Sequence, residues 1–337
     1  MGSSSGYRDS MAALRVPIKA QADARELIRY ATLAPNGHNT QPWRFRIDEQ
    51  RIAILPDPSR RTPVVDPDDH HVFVSLGCAA ENLALASASQ GRSGVVRFDP
   101  AGDGSVMFEF EAGPPVRSAL CDVIPLRQST RTEYDGRPVS SAGLALLASA
   151  AAVPGVEMIL LTDRPRINAL RDLVVTGNTA QMADAAFVRE LKSWLRFNPA
   201  QALRTRDGLY SVASGNPALP DWLGPLAFDW LSSAQVQNDA YASQIRSSAG
   251  IAVFTGARAD PAHWVAVGQA CQRFALQATA LGLKHAFINQ PIEVPSLRPE
   301  LASLIDLPGC RPDIVMRFGY GPTLPFSARR PVEAVLA

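Results

Sequence analysis

Two alanine-rich stretches of this chain repeat one pattern. Gly77-Cys78-Ala79-Ala80-Glu81-Asn82-Leu83-Ala84-Leu85 runs on to Gly91, and Gly268-Gln269-Ala270-Cys271-Gln272-Arg273-Phe274-Ala275-Leu276 runs on to Gly282. In both, glycines fourteen apart enclose an alanine two on, a large apolar residue six on and a leucine eight on. Each reads as a long apolar helix ended by glycine, and small residues on one face let two such helices pack with their backbones close. A looser echo runs alongside: an alanine-rich helix, a proline and an apolar strand occur over residues 20–47 and again over 140–162. Two repeats in the same order predict an internal duplication. The expected halves are 13–116 and 117–337, the second interrupted by a lid-like insertion at 198–248. Residues 1–12 read as a disordered leader.

The remaining punctuation fits this frame. Trp43 to Ile47 and Arg51 to Leu55 alternate as a hairpin, and strands are expected at 95–98, 106–110, 157–162, 250–254, 285–288 and 314–318. The insertion carries an aromatic run, Trp222, Phe228 and Trp230, suited to covering a ligand or packing over the core.

Composition excludes several classes. With 33 basic against 32 acidic residues no general field draws nucleic acid or an anionic membrane, so any anion site is local. No apolar run reaches the roughly 20 residues of a membrane span. Cys78, Cys121, Cys271 and Cys310 form no Cys-x-x-Cys pair, so neither zinc nor a redox dithiol is signalled, and reduced thiols in the cytoplasm are expected. Asp66-Pro67-Asp68-Asp69-His70-His71 offers metal-ligand types, but adjacent ligands make poor geometry and a solvated acidic turn is expected.

The segment with ligand chemistry is Arg127-Gln128-Ser129-Thr130-Arg131, whose alternate residues can point two guanidiniums and a hydroxyl at one anion. Upstream lies the polar loop Ala34-Pro35-Asn36-Gly37-His38-Asn39-Thr40-Gln41-Pro42-Trp43. With both pieces present the chain resembles the nitroreductase superfamily, flavin enzymes that bind FMN at a dimer interface. In that family an Arg-x-Ser-x-Arg/Lys segment holds the flavin, and an Asn-x-Gln-Pro-Trp loop from the other subunit closes over it. Here both motifs lie on one chain in the reverse order, which looks like the fused branch of the mycobacterial Acg proteins.

The resemblance implies an α+β, nitroreductase-like fold in which two unequal tandem halves form a pseudo-dimer around one FMN site. Arg127 and Ser129 would take the phosphate, joined by Arg329 or Arg330. Arg131 would sit at the pyrimidine edge, where a fixed cation stabilises the reduced flavin. Asn36, Gly37 and Asn39 would contribute from the first half. Asn289, Gln290 and Pro291 replace the family's usual pattern near N5 and O4. His38 reads as a hydrogen-bonded structural histidine. The implied activity is FMN-dependent oxidoreduction, hydride passing from NAD(P)H to the flavin and on to a nitroaromatic, quinone or similar acceptor. The alternative is a protein that stores FMN beneath a lid. A further homodimer stays open.

Overall fold

The computed structural model describes residues 4–231 and 233–337, without the side chains of residues 227 and 229–231. In chain order the first half gives helices α1 (Ser4–Leu14) and α2 (Ala24–Thr32), the hairpin β1 (Trp43–Asp48) and β2 (Arg51–Pro56), helix α3 (His70–Ser89), and strands β3 (Arg92–Asp99) and β4 (Ser105–Ala112). Then come α4 (Ala119–Asp122), α5 (Ser141–Ala150), β5 (Val156–Leu161), α6 (Arg164–Ala183), α7 (Ala185–Ser193), β6 (Leu195–Arg196), α8 (Pro199–Thr205), β7 (Leu209–Tyr210), α9 (Gly224–Leu231) and α10 (Ala234–Arg246). The chain closes with β8 (Gly250–Gly256), α11 (Pro261–Ala280), β9 (Lys284–Phe287), α12 (Gln290–Glu293), α13 (Arg298–Leu304) and β10 (Ile314–Gly319). Side-chain caps set several helix starts: Asp23, Ser140, Asp163 and Asp260 each accept a backbone N–H from the first turn that follows.

Two four-stranded antiparallel sheets result, ordered β1-β2-β4-β3 and β5-β8-β10-β9. Both run in the same sense: an edge strand, its neighbour, a long helix, the opposite edge, and last the strand that slots between. The long helices, α3 and α11, pack on each other between the sheets, and the largest core cluster draws on both. The glycines of the repeated pattern explain how close they come. A Cβ on Gly77 would lie 2.1 Å from the Val265 carbonyl oxygen, and one on Gly268 would lie 2.1 Å from that of Val74. Beside this crossing the Cys78 and Cys271 sulfurs are 3.5 Å apart. Further along, Gln272 Nε2 donates to Asn82 Oδ1 at 2.6 Å and Arg273 pairs with Glu81 at 2.7 Å. Although α3 is long and apolar enough to cross a membrane, most of it is buried in this seam.

The ends of the chain depart from expectation. Residues 4–12 of the expected leader lie in α1, because Tyr7 and Met11, one turn apart, make an apolar stripe that is buried against Tyr210 and Ala328. Tyr7 also donates its hydroxyl to the Phe326 carbonyl at 2.7 Å. At the other end the last residues lie along β1, where Phe45 N donates to Val335 O and Ala337 N donates to Phe45 O. The tail of the second half thus extends the sheet of the first.

The insertion is largely helical, but Trp222 and Phe228 of its aromatic run line no part of the cleft beside Arg127 and Arg131. Trp222 is 72% exposed, Phe228 meets the Lys192 ammonium, and the Trp230 side chain lies outside the described residues. The expected acidic turn is solvated only in part, at Pro67 and Asp68. Asp66 is buried because its carboxylate caps α3, accepting from His71 N at 3.0 Å and Val72 N at 3.2 Å, and His70 pairs with Asp313 at 2.9 Å.

Candidate functional site

The Arg-Ser-Arg segment runs extended beside β9, with Thr130 N donating to His285 O at 2.8 Å. Its in-between residues anchor it. Gln128 exchanges amide hydrogen bonds with Leu324, and Thr130 is fully buried. Behind it the buried Arg317 guanidinium donates to the carbonyls of Thr130 and Thr132 at 3.1 and 2.9 Å and stacks 4.2 Å over Tyr134. Arg127, Ser129 and Arg131 are thereby presented to a cleft.

One end of that cleft is cationic. Arg127 and Arg329 reach the last carbonyls of α2: Arg127 Nη2 donates to Leu33 O at 3.0 Å, Arg329 Nε to Thr32 O at 2.6 Å and Arg329 Nη2 to Ala34 O at 3.1 Å. A helix C-terminus leaves those carbonyls without internal partners and carries partial negative charge, which suits a cation. Arg15 completes the group, donating to Ser327 O at 3.1 Å with its guanidinium 4.2 Å over the Phe326 ring. No carboxylate pairs with any of the three among the described residues. Burial and Arg127 push the Arg15 pKa down to about 9, burial holds Arg127 at about 10, and burial with repulsion from Arg15 and Arg127 holds Arg329 well below the usual range. Arg127 keeps Nε and Nη1 buried without a partner. Three clustered guanidiniums lacking a counter-charge are the donor set of an anion site.

From this end the cleft continues past Arg131, Pro35, Asn36, Leu209 and Phe287, which line both it and a cavity of about 180 Å³ beyond. The upper wall is the loop 36–41, where His38, Asn39 and Gln41 all hold left-handed backbones, with φ of 46°, 54° and 56°. Such residues cost of order 1 kcal/mol each, and the loop is held by a dense set of bonds. Asn36 Oδ1 accepts from Gln41 N at 2.7 Å, Asn39 Nδ2 donates to Gly208 O at 3.0 Å, and Gln41 Nε2 donates to Arg206 O at 2.9 Å. Asn39 Oδ1 also accepts from Arg329 Nη1 at 2.8 Å. Opposite lie Asn289 and Gln290, whose chain direction is set by Asn289 Oδ1 accepting from Val315 N at 2.9 Å. The inner end is formed by His38, His71, Gln181, Tyr241 and Glu293.

Of the residues expected from sequence, Asn36, Gly37, Asn39, Arg127, Ser129, Arg131, Asn289, Gln290 and Arg329 line this cleft. Arg330 does not. It points the other way and pairs with Asp57 at 3.5 Å, because successive residues of an extended tail face opposite sides. Pro291 is buried at the start of α12 and lines neither part. His38 is not the hydrogen-bonded residue expected, since its Nδ1 is buried without a partner. Sequence reasoning missed Arg15, which adjoins the segment read as a leader, and Leu209, Gln181 and Glu293, which carry no motif, while His71 was read only as part of an acidic turn.

The histidines set a pH dependence. Burial, Arg131 and His71 push the His38 pKa down to about 4, and burial lowers His71 and His285 as well. These imidazoles are neutral in the folded chain but take up protons near pH 6.5 when unfolded. Folding stability is therefore expected to fall as pH drops from about 6.5 toward 4. Thermal melts across that range should show the fall, and it should flatten in His38→Asn.

A cationic pocket opening into a cavity walled by aliphatic, aromatic and amide side chains is the form of a site for a planar ligand that ends in an anion. No family model matches the chain. Over 325 residues it is 26% identical to Rv3131 of Mycobacterium tuberculosis, provisionally named an NAD(P)H nitroreductase, an alignment spanning 93% of this chain and 90% of that one. Over 323 residues it is 23% identical to the acg protein of the same organism, named likewise, spanning 92% and 94%. Among solved structures it is similar to the FMN-dependent nitroreductase NfnB from Mycobacterium smegmatis in complex with NADPH, at TM-score 0.41 and 12% identity, over 64% of this chain and 91% of that one. Over more than nine-tenths of its length the chain is thus similar to mycobacterial proteins provisionally named NAD(P)H nitroreductases.

Proposed function

We propose that the protein is an FMN-dependent oxidoreductase of the nitroreductase type, reduced by NAD(P)H and reoxidised by a small electron acceptor. The observation that carries this reading is the Arg15, Arg127 and Arg329 cluster, with two unpartnered Arg127 donors, at the mouth of a mixed apolar and amide cavity. These residues fit FMN: the guanidiniums and Ser129 would hold its phosphate, and Arg131, Asn36, Asn289 and Gln290 would border the ring system. Bound there, the flavin supplies two-electron hydride chemistry at N5. The chain's own part is to orient and to bias. Arg131 has no carboxylate partner among the described residues, so its charge is available to negative charge developing on the pyrimidine edge.

We read the chain as an intramolecular pseudo-dimer with one such site, built from 13–116 and 117–337. The identical strand order of the two sheets and the paired glycines of α3 and α11 support this. Four unbonded cysteines suit the cytoplasm.

The test is the absorption spectrum of the purified or FMN-reconstituted chain, followed by anaerobic addition of NADH and of NADPH. Flavin bands that bleach support the oxidoreductase, and a chain that takes up no flavin overturns it. A second reading, storage of FMN, is favoured by one observation: Leu209, Gln237 and Tyr241 from the insertion join Phe187 and Leu191 of α7 in walling the cavity. That reading expects bands that bleach with dithionite but not with nicotinamide. Replacing Arg131 by Gln should lower the flavin midpoint potential while leaving affinity for oxidised FMN within about threefold, since one charge-assisted contact is worth of order 1.5–3 kcal/mol and is realised mainly on reduction. A redox titration with a reference dye reads it.

A further inference from the structure

The inner end of the cleft holds a carboxyl group for which flavin binding has no evident use. Glu293, the last residue of α12, lines the same cavity as Arg131, Asn289 and Gln290. Gln181 Nε2 donates to its Oε2 at 2.6 Å, and its Oε1 lies 3.9 Å from His71 Nδ1. The Glu293 and His71 side chains keep 18% and 12% of their surface exposed, so neither is sealed in the core. No lysine or arginine forms an ion pair with Glu293 among the described residues. The groups facing it are His71 and Asp66 from the start of α3, Gln181 from α6 and Tyr241 from α10. The nearby guanidiniums are engaged elsewhere, Arg298 with the Ile292 carbonyl and Arg311 with Asp68. Burial, with Asp66 adding to it, raises the Glu293 pKa above the usual carboxylate range. A carboxyl so placed takes up a proton more readily than a free one and faces the cavity it shares with Arg131.

We propose that Glu293 is the proton donor to the electron acceptor. This rests on the flavin reading above. A quinone that gains a hydride from the reduced flavin becomes a hydroquinone anion and needs one proton to become the hydroquinone. Glu293 gives that proton from its carboxyl oxygen, is left as the carboxylate, and regains a proton from water. The flavin returns to the oxidised state, so electrons and protons balance.

The test compares reoxidation of the reduced holoprotein by 1,4-benzoquinone and by ferricyanide, in wild type and in Glu293→Gln, by stopped flow. Ferricyanide takes an electron and no proton. Glu293→Gln should slow the quinone reaction about tenfold or more while leaving the ferricyanide reaction within about twofold, and Glu293→Asp should restore part of the loss. Equal effects on both oxidants, or no effect on either, would overturn the proposal. A second readout needs no flavin: the infrared spectrum of the unliganded chain at pH 7 should contain a protonated carboxyl C=O band that Glu293→Gln removes. A wild-type spectrum without that band would overturn the proposal even if FMN binds. A chain that keeps the band yet takes up no FMN would instead overturn the flavin reading and the donor role that rests on it.

Discussion

Replacing Arg127 by methionine is expected to weaken FMN binding about 100-fold while raising the stability of the unliganded chain. The first effect follows from two free donors, Nε and Nη1, in a buried guanidinium. Hydrogen bonds to a charged group are worth about 1.5–3 kcal/mol each, and about 1.4 kcal/mol is a factor of ten in affinity. The second effect has the opposite sign because, without an anion, Arg127 is a buried cation with one hydrogen bond, to Leu33 O, no carboxylate, and Arg15 and Arg329 close by. Exchanging an imperfectly compensated buried charge for an apolar side chain of similar length stabilises by about 1–4 kcal/mol in known cases. Fluorescence titration with FMN and urea denaturation of the apoprotein read the two effects separately. Unchanged affinity would place the phosphate elsewhere. A less stable apoprotein would show that the guanidinium serves the fold rather than the ligand.

The largest structural effect is expected at the crossing of α3 and α11. A methyl group on Gly268 would meet the Val74 carbonyl oxygen at 2.1 Å and the Cys78 nitrogen at 2.9 Å. Both are backbone atoms, which cannot step aside as a side chain can, so Gly268→Ala must push the helices apart. The cost should be about 3 kcal/mol or more, at the upper end of what overpacking produces, because the seam joins both sheets. Gly282→Ala is the matched control. It has φ of +73° but nothing within 4 Å, so only backbone strain of about 1 kcal/mol is expected. Urea midpoints of the two variants decide the matter. Equal losses would mean that the close approach of the helices contributes little.

Much of the fold was legible because it is written in local periodicity. The hairpin at 43–56 and the strand at 250–254 declare themselves by alternation and apolar runs, and α3 and α11 by their apolar length and terminal glycines. The first Arg-Ser-Arg triplet was legible for the same reason, since on an extended chain alternate residues share a face. Errors arose where a residue's role depends on what lies across from it. Residues 4–12 are weakly amphipathic and look like a leader until Tyr210 and Phe326 are placed against them. Arg329 and Arg330 are equivalent on paper, yet the tail's path sends one to the α2 carbonyls and the other to Asp57.

The amino-acid sequence by itself determined the two long glycine-ended helices, the strands around them and the alternate spacing of Arg127, Ser129 and Arg131, because each is a statement about neighbours within a few residues. Only the tertiary structure decided that Arg15 joins the arginine cluster, that Cys78 and Cys271 meet across 193 positions, that Trp222 faces outward, and that Glu293 and His71 close the inner end of the cleft. Those choices are made by packing: which surfaces two helices and two sheets can bury together sets which distant charges come face to face, and no local pattern records that outcome.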